Sequence, residues 1–237
     1  MSKNLFNIIA FFCLLCSNAQ TTTFIYKKIA SNEENSKRDD YLDQITSFVK
    51  EVTYELNTNG KESYFFAQDK MYSPKFNKHA ISYSGGKTVY AIANREKIHF
   101  YEQINNNTIV GDSIAFSEWN ISNETKIING YLCYKATKET KYNAVKVDEK
   151  TDTVSSIPLT KELTAWFCPE FPFSFGPAKY LGLPGIVFEA YETNGRISFV
   201  LIEIKKTIHK ISKLDTKKVI SKKEQSAAII KNMNGSD

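Results

Sequence analysis

Two Asn-Gly dipeptides, at 129–130 and 194–195, each separate stretches in which apolar and polar residues alternate, and they restrict the fold more than anything else in the chain. Both central residues of a type I′ turn need φ > 0, which Asn and Gly tolerate, so each dipeptide reads as a two-residue β-hairpin loop. With Asn194-Gly195 in such a loop, Thr193 faces Arg196. Counting outward puts Phe188 and Ala190 opposite Leu201 and Phe199, four residues expected to share one buried face.

The pattern recurs along the chain. Segments 53–56 and 63–66 flank Asn57-Thr58-Asn59-Gly60, and 89–93 and 97–103 flank Asn94-Arg95-Glu96. Further strand candidates cover 23–29, 113–121, 125–128 and 131–137, while the polar stretch 138–156 reads as a loop or an exposed ribbon. Helical spacing occurs twice. Tyr41, Leu42, Ile45, Phe48, Val49 and Val52 trace one helix face, and Ser221 with Glu224 forms a capping box ahead of Ala227, Ala228 and Ile230. The expectation is a mainly β chain: a single antiparallel curved sheet or a partly open β-barrel with one or two peripheral helices, a β-sandwich being the alternative.

Lys3 precedes an apolar run over 5–16 and a small-residue exit at Ser17-Asn18-Ala19, the composition of a secretory signal peptide over 1–19 with cleavage before Gln20. The run is too short for a membrane span, which needs about 20 residues, and no later stretch is apolar enough to cross. Processing removes Cys13 and Cys16. Cys133 and Cys168 remain, as one disulfide or as two buried thiols.

Charge is concentrated near the C-terminus. From Lys205 to Lys223, Lys205, Lys206, Lys210, Lys213, Lys217, Lys218, Lys222 and Lys223 are offset by a single acid, Asp215. Such a strip is either a solvated face or a contact for anionic lipid headgroups or an acidic partner. Export makes nucleic acid a poor partner.

No catalytic constellation accompanies these features. His79, His99 and His209 are scattered singly, outside any H-x-x-x-H arrangement, so no metal and no cofactor are expected. Ser84-Gly85-Gly86-Lys87-Thr88 ends like a P-loop, but Ile81 stands where its first glycine is required. Adjacent acids at Glu33-Glu34, Asp39-Asp40 and Asp148-Glu149 lie in polar stretches and read as solvated loops. A thiol- or metal-dependent hydrolase is the outside alternative.

One segment is unusually aromatic: Trp166, Phe167, Phe171, Phe173, Phe175 and Tyr180 fall within fifteen residues. Rings that dense either fill a core or line an apolar cleft, so Trp166, Phe171, Phe173, Phe175 and Tyr180 are the candidate ligand-binding residues.

An ordered series of motifs surrounds them: Trp119-Asn120-Ile121, Glu124-Thr125-Lys126-Ile127, Gly130-Tyr131-Leu132-Cys133-Tyr134-Lys135-Ala136, Ala165-Trp166-Phe167, Pro169-Glu170-Phe171-Pro172, Gly176-Pro177 and Gly182-Leu183-Pro184-Gly185-Ile186. The series resembles the GLPGLI family of exported bacterial envelope proteins. That resemblance implies export to the periplasm or outer membrane of a Gram-negative bacterium and one β-rich domain over 20–237, with the basic segment 205–237 at its end. It brings no reaction or catalytic residue. Cys168 replaces an expected polar residue, so a Cys133–Cys168 bridge, if formed, would be peculiar to this chain. Leu183-Pro184-Gly185-Ile186 fits a type II turn, with Pro184 setting φ near −65° and Gly185 taking φ > 0. The function expected is non-catalytic binding of an apolar ligand or a protein partner on a concave sheet face. An accessory subunit of an outer-membrane transport or assembly system is the alternative.

Overall fold

The computed structural model describes residues 21–30, 52–68, 87–105, 107–148, 153–193, 197–208 and 210–234. The signal segment, Asn194-Gly195-Arg196, the P-loop-like glycines and the helical spacing at 41–49 lie outside these residues. Twelve strands form one sheet: β1 (Thr21–Ala30), β2 (Thr53–Thr58), β3 (Glu62–Ala67), β4 (Val89–Ala93), β5 (Lys97–Asn105), β6 (Thr108–Ala115), β7 (Asn120–Ile128), β8 (Tyr131–Asp148), β9 (Thr153–Cys168), β10 (Ile186–Glu192), β11 (Ile197–Thr207) and β12 (Val219–Ser221). Their order is β12-β6-β5-β4-β3-β2-β1-β11-β10-β9-β8-β7. All pairs are antiparallel except β12, which runs parallel to β6.

Turn chemistry accounts for the local pairings. Asn129 and Gly130 have φ of 52° and 83°, the type I′ values, and the pair Ile128–Tyr131 closes over them. On β10 and β11, Ala190 faces Phe199, the register counted from the sequence, and Phe188, Ala190, Phe199 and Leu201 are all buried. The stretch 138–156 is a ribbon, since β8 and β9 stay paired out to Asp148 and Thr153. A sandwich is not what forms: one sheet holds every described strand.

The sheet curls strongly. Helix α1 (Lys222–Asn234) touches both β6 and β9, which stand eight strand steps apart. Eight steps measure about 38 Å along a sheet, whereas a helix is only about 10–12 Å across. The helix therefore bridges the mouth of an open curl. Its start is the expected capping box: Ser221 Oγ accepts from Glu224 N at 3.2 Å, and Glu224 Oε2 accepts from Ser221 N at 2.7 Å.

Residues opposite one another in a sheet share a face, so the register defines the interior. Phe24, Leu56, Phe65 and Val89 form one buried row across β1 to β4. Lys28, Phe199, Ala190, Ala165 and Ala136 form another across β1, β11, β10, β9 and β8. On the outer face Tyr64, Tyr90 and Tyr101 stand side by side, with Tyr90 stacked on Tyr101 at 6.2 Å.

Between β11 and β12 the chain crosses this outer face. Ile211 is buried there, Lys213 bridges Glu62 at 3.0 Å and lies 5.9 Å from the Tyr90 ring, and Tyr90 Oη donates to Glu62 at 2.5 Å. Part of the basic segment is thus a strap built into the fold. Lys222 likewise bridges Asp112 at 2.6 Å, while Lys206, Lys210, Lys217, Lys218 and Lys223 are exposed.

Candidate functional site

From Cys168 the chain leaves β9, runs through the curl over 169–185 and returns as β10. Polar backbone in an apolar interior needs partners, and this segment has them. Trp119 Nε1 donates to Leu181 O at 2.8 Å, Gly182 N to Ser174 O at 2.9 Å, and Ile186 N to Phe171 O at 2.9 Å.

The sequence-predicted aromatics separate into three environments. Phe175 and Tyr180 are buried, and Tyr180 stacks on Trp119 at 6.4 Å. Phe171 and Phe173 are half-buried at one rim, edge-on to the buried Phe24 at 5.8 and 6.2 Å. Trp166 stands apart. It faces Lys135 and Glu189 across the sheet while its neighbour Ala165 takes the inner row, so Trp166 is on the opposite face. Lys126 covers its ring at 4.3 Å and bridges Glu189 at 2.7 Å. The indole Nε1 of Trp166 is buried without a hydrogen-bond partner among the described residues.

The Gly182–Ile186 motif is positioned by close packing. Leu183 and Ile186 are buried, and Pro184 is exposed. The expected type II turn is not present: Gly182, at φ 92°, takes the left-handed conformation, whereas Gly185 does not. Gly185 is required for proximity, since a Cβ there would lie 2.3 Å from the Cys168 carbonyl oxygen. Backbone of the returning chain packs directly against the end of β9.

Cys133 and Cys168 are buried free thiols. Tyr134 pairs with Phe167, so extending the ladder by one residue sets the two cysteines opposite each other, and the Cys133 thiol donates to Tyr131 O at 3.7 Å. Burial, then the neighbouring Cys168, pushes Cys133 up to about 12. A thiol so shifted is not a nucleophile at neutral pH.

One inner-face residue gave no signal of its own in the sequence. Lys28 alternates with Phe24 and Tyr26 on β1, and that parity turns it inward. It is 3% exposed, with Nζ 4.5 Å from the Phe199 ring centroid and 5.1 Å from that of Tyr54. No hydrogen bond or ion pair reaches this amine among the described residues. Burial, assisted by the charge of Lys179, pulls its pKa from 10.5 to about 7. Beside it, Glu192 accepts from Lys161 at 2.7 Å and also from Lys179. Burial disfavours the Glu192 carboxylate, but these two lysines outweigh it and hold the group below its ordinary range. Lys161 and Lys179 thus share one carboxylate at this rim, and Lys28 has none among the described residues. The signal that would have exposed Lys28 is the alternation Phe24-x-Tyr26-x-Lys28 itself.

A separate open hollow of about 300 Å³ lies where β12 meets β5 and β6, lined by His99, Tyr101, Asp112 and Ser113. Among the described residues no three His, Cys, Asp or Glu side chains group as metal ligands, and no helix is long and apolar enough to cross a membrane.

No curated protein matches the chain. Two solved structures are similar to it, those of PNGF-II in C2 and P21 space groups, each at 17% identity, with TM-scores of 0.45 and 0.46. The matches cover 90% of this chain and 32% and 34% of those, so the chain spans about a third of their length. Residues 119–189, which contain the whole motif series from Trp119 to Ile186, match the model of a bacterial family described as a protein of unknown function, Porph_ging.

Proposed function

We propose that this chain is a non-catalytic, exported envelope protein of a Gram-negative bacterium, allied to the GLPGLI proteins, that binds an apolar ligand or a protein partner through the inner face of its curved sheet. The observation that supports this reading is the rim formed by Phe171 and Phe173. Both rings are seated on Phe24 and Phe171 also on Tyr131, at 5.2 Å, yet both stay half-buried. Fixed aromatic surface left open beside a filled core is what an apolar ligand displaces water from. The accessory-subunit version draws support from the outer edge of the sheet, where edge strand β7, paired on one side only among the described strands, leaves Ile121 53% and Ile127 66% exposed. The exposed lysines of the basic segment suit the same setting, as contacts for anionic lipid headgroups.

Native mass spectrometry of the protein taken from its own envelope tests the proposal. A small mass that departs on denaturation, with an intact mass matching cleavage before Gln20, is the expected result. A ligand-free monomer with no cross-linkable envelope partner overturns it.

A further inference from the structure

The outer face carries a row of rings that ends in a gap. Tyr64, Tyr90 and Tyr101 stand side by side on β3, β4 and β5, and the register makes the next member Gly111, on β6. A Cβ at Gly111 would lie 2.6 Å from Val219 Cγ1 and 3.5 Å from the Tyr101 ring, so the glycine is what lets β12 close in beside the row. Val219 fills only part of the space. What remains is the open hollow of about 300 Å³, at the small end of the range for ligand sites.

Three side chains on its walls have hydrogen-bonding capacity to spare. His99 and Ser113 face each other across β5 and β6, next to Tyr101. Among the described residues no hydrogen bond engages the His99 ring, the Ser113 hydroxyl or the Tyr101 hydroxyl. Charge on the same rim is already balanced: Lys222 bridges Asp112 Oδ2 at 2.6 Å, and Asp112 Oδ1 accepts from Ser113 N at 2.8 Å. Each carboxylate oxygen keeps a further lone pair with which to accept.

This lining discriminates between ligand classes. A charged ligand finds no unpaired opposite charge on Asp112 or Lys222, and an apolar one strips water from the imidazole and both hydroxyls without replacing it. A neutral polyhydroxylated ring meets both demands. Its hydroxyls pair with His99, Ser113 and Asp112, and its C–H face rests on the aromatic surface of Tyr101. We infer that the hollow between β5, β6 and β12 is a binding site for a neutral sugar ring. It lies on the outer face, apart from the rim of Phe171 and Phe173, and does not depend on the apolar-ligand reading.

The test is calorimetric titration of the full processed chain with the methyl glycosides of glucose, galactose, mannose and N-acetylglucosamine. Methyl glucuronide and cyclohexanol serve as charged and apolar counterparts of the same ring size. At least one neutral glycoside is expected to bind saturably, and several-fold more tightly than either counterpart. Ser113→Ala, at an exposed position, weakens that binding about fivefold, the worth of one hydrogen bond. Ser113→Phe fills the hollow and abolishes binding, while circular dichroism and thermal unfolding stay those of the unaltered chain. Tyr101→Leu keeps an apolar side chain in the row and costs the glycoside its advantage over cyclohexanol. No saturable binding of any neutral glycoside, binding that survives Ser113→Phe undiminished, or equal binding of cyclohexanol each overturns the sugar site, and none of them bears on the inner-face reading.

Discussion

Single residues carry the largest energetic asymmetries in this molecule. Lys28 has its pKa lowered on folding, so between about pH 7 and 10.5 the folded state holds fewer protons than the unfolded chain, and stability rises with pH across that window. Below about pH 7 the full cost of burying the charge is present. Lys28→Met is therefore expected to stabilise the ligand-free protein by on the order of 2 kcal/mol at pH 6, with the gain fading towards pH 9.5, as urea unfolding at the two pH values will show. Glycines divide by a different physics. At Gly185 an added Cβ meets backbone at 2.3 Å, which nothing flexible can relieve, so Gly185→Ala is expected to prevent folding or cost more than about 3 kcal/mol. Gly130 has nothing within 4 Å and only its φ of 83° to lose, so Gly130→Ala costs about 1 kcal/mol. Trp166→Phe removes a buried N–H that has no acceptor, and equilibrium unfolding is expected to find it neutral or slightly stabilising.

Elements show how much of the fold was legible. The Asn129-Gly130 hairpin, the register of Ala190 on Phe199 and the capping box at Ser221 follow from the sequence because each is local: the turn residues and the side-chain alternation lie within a few positions of one another. Pairings such as β1 on β11 join residues far apart in the chain, and no local signal names the partner. The passage of 169–185 through the curl was hidden for the same reason. Its aromatic density fits a core and a cleft equally, and the structure divides it between the two, Phe175 and Tyr180 inside, Phe171 and Phe173 at the rim. Lys28 was missed because a lysine in a strand is ordinarily an outward residue. The anchor of the interior segment is testable: Trp119→Phe keeps the ring but strips Leu181 O of its donor, leaving a buried carbonyl unpaired. A loss of about 1–3 kcal/mol in urea unfolding is expected.

At the scale of the whole molecule, two cross-links set stability under stress. Glu192 and Glu118 are both held below the ordinary carboxylate range, against the opposing effect of burial, by Lys161 and Lys179 and by Lys138 respectively. Their contribution is complete at neutral pH and lost as pH falls below about 4 through the lowered values, so Glu192→Gln is expected to flatten the acid limb of the unfolding curve. The two buried thiols are expected to resist oxidised glutathione in the folded protein, because burial raises both and Cys133 reaches about 12: the thiol count in denaturant stays at two after incubation.

The strap over the outer face has a mechanical meaning. From β11 to β12 the sheet is seven strands' spacing wide, about 34 Å, and the eleven residues over 208–218 reach only about 37–40 Å fully extended. A cord on the convex side of a bent plate goes slack when the plate flattens and tightens when it bends further. Held midway by the buried Ile211 and by the Lys213–Glu62 bridge, this one is placed to tighten as the sheet bends further, on the face opposite the mouth that helix α1 spans.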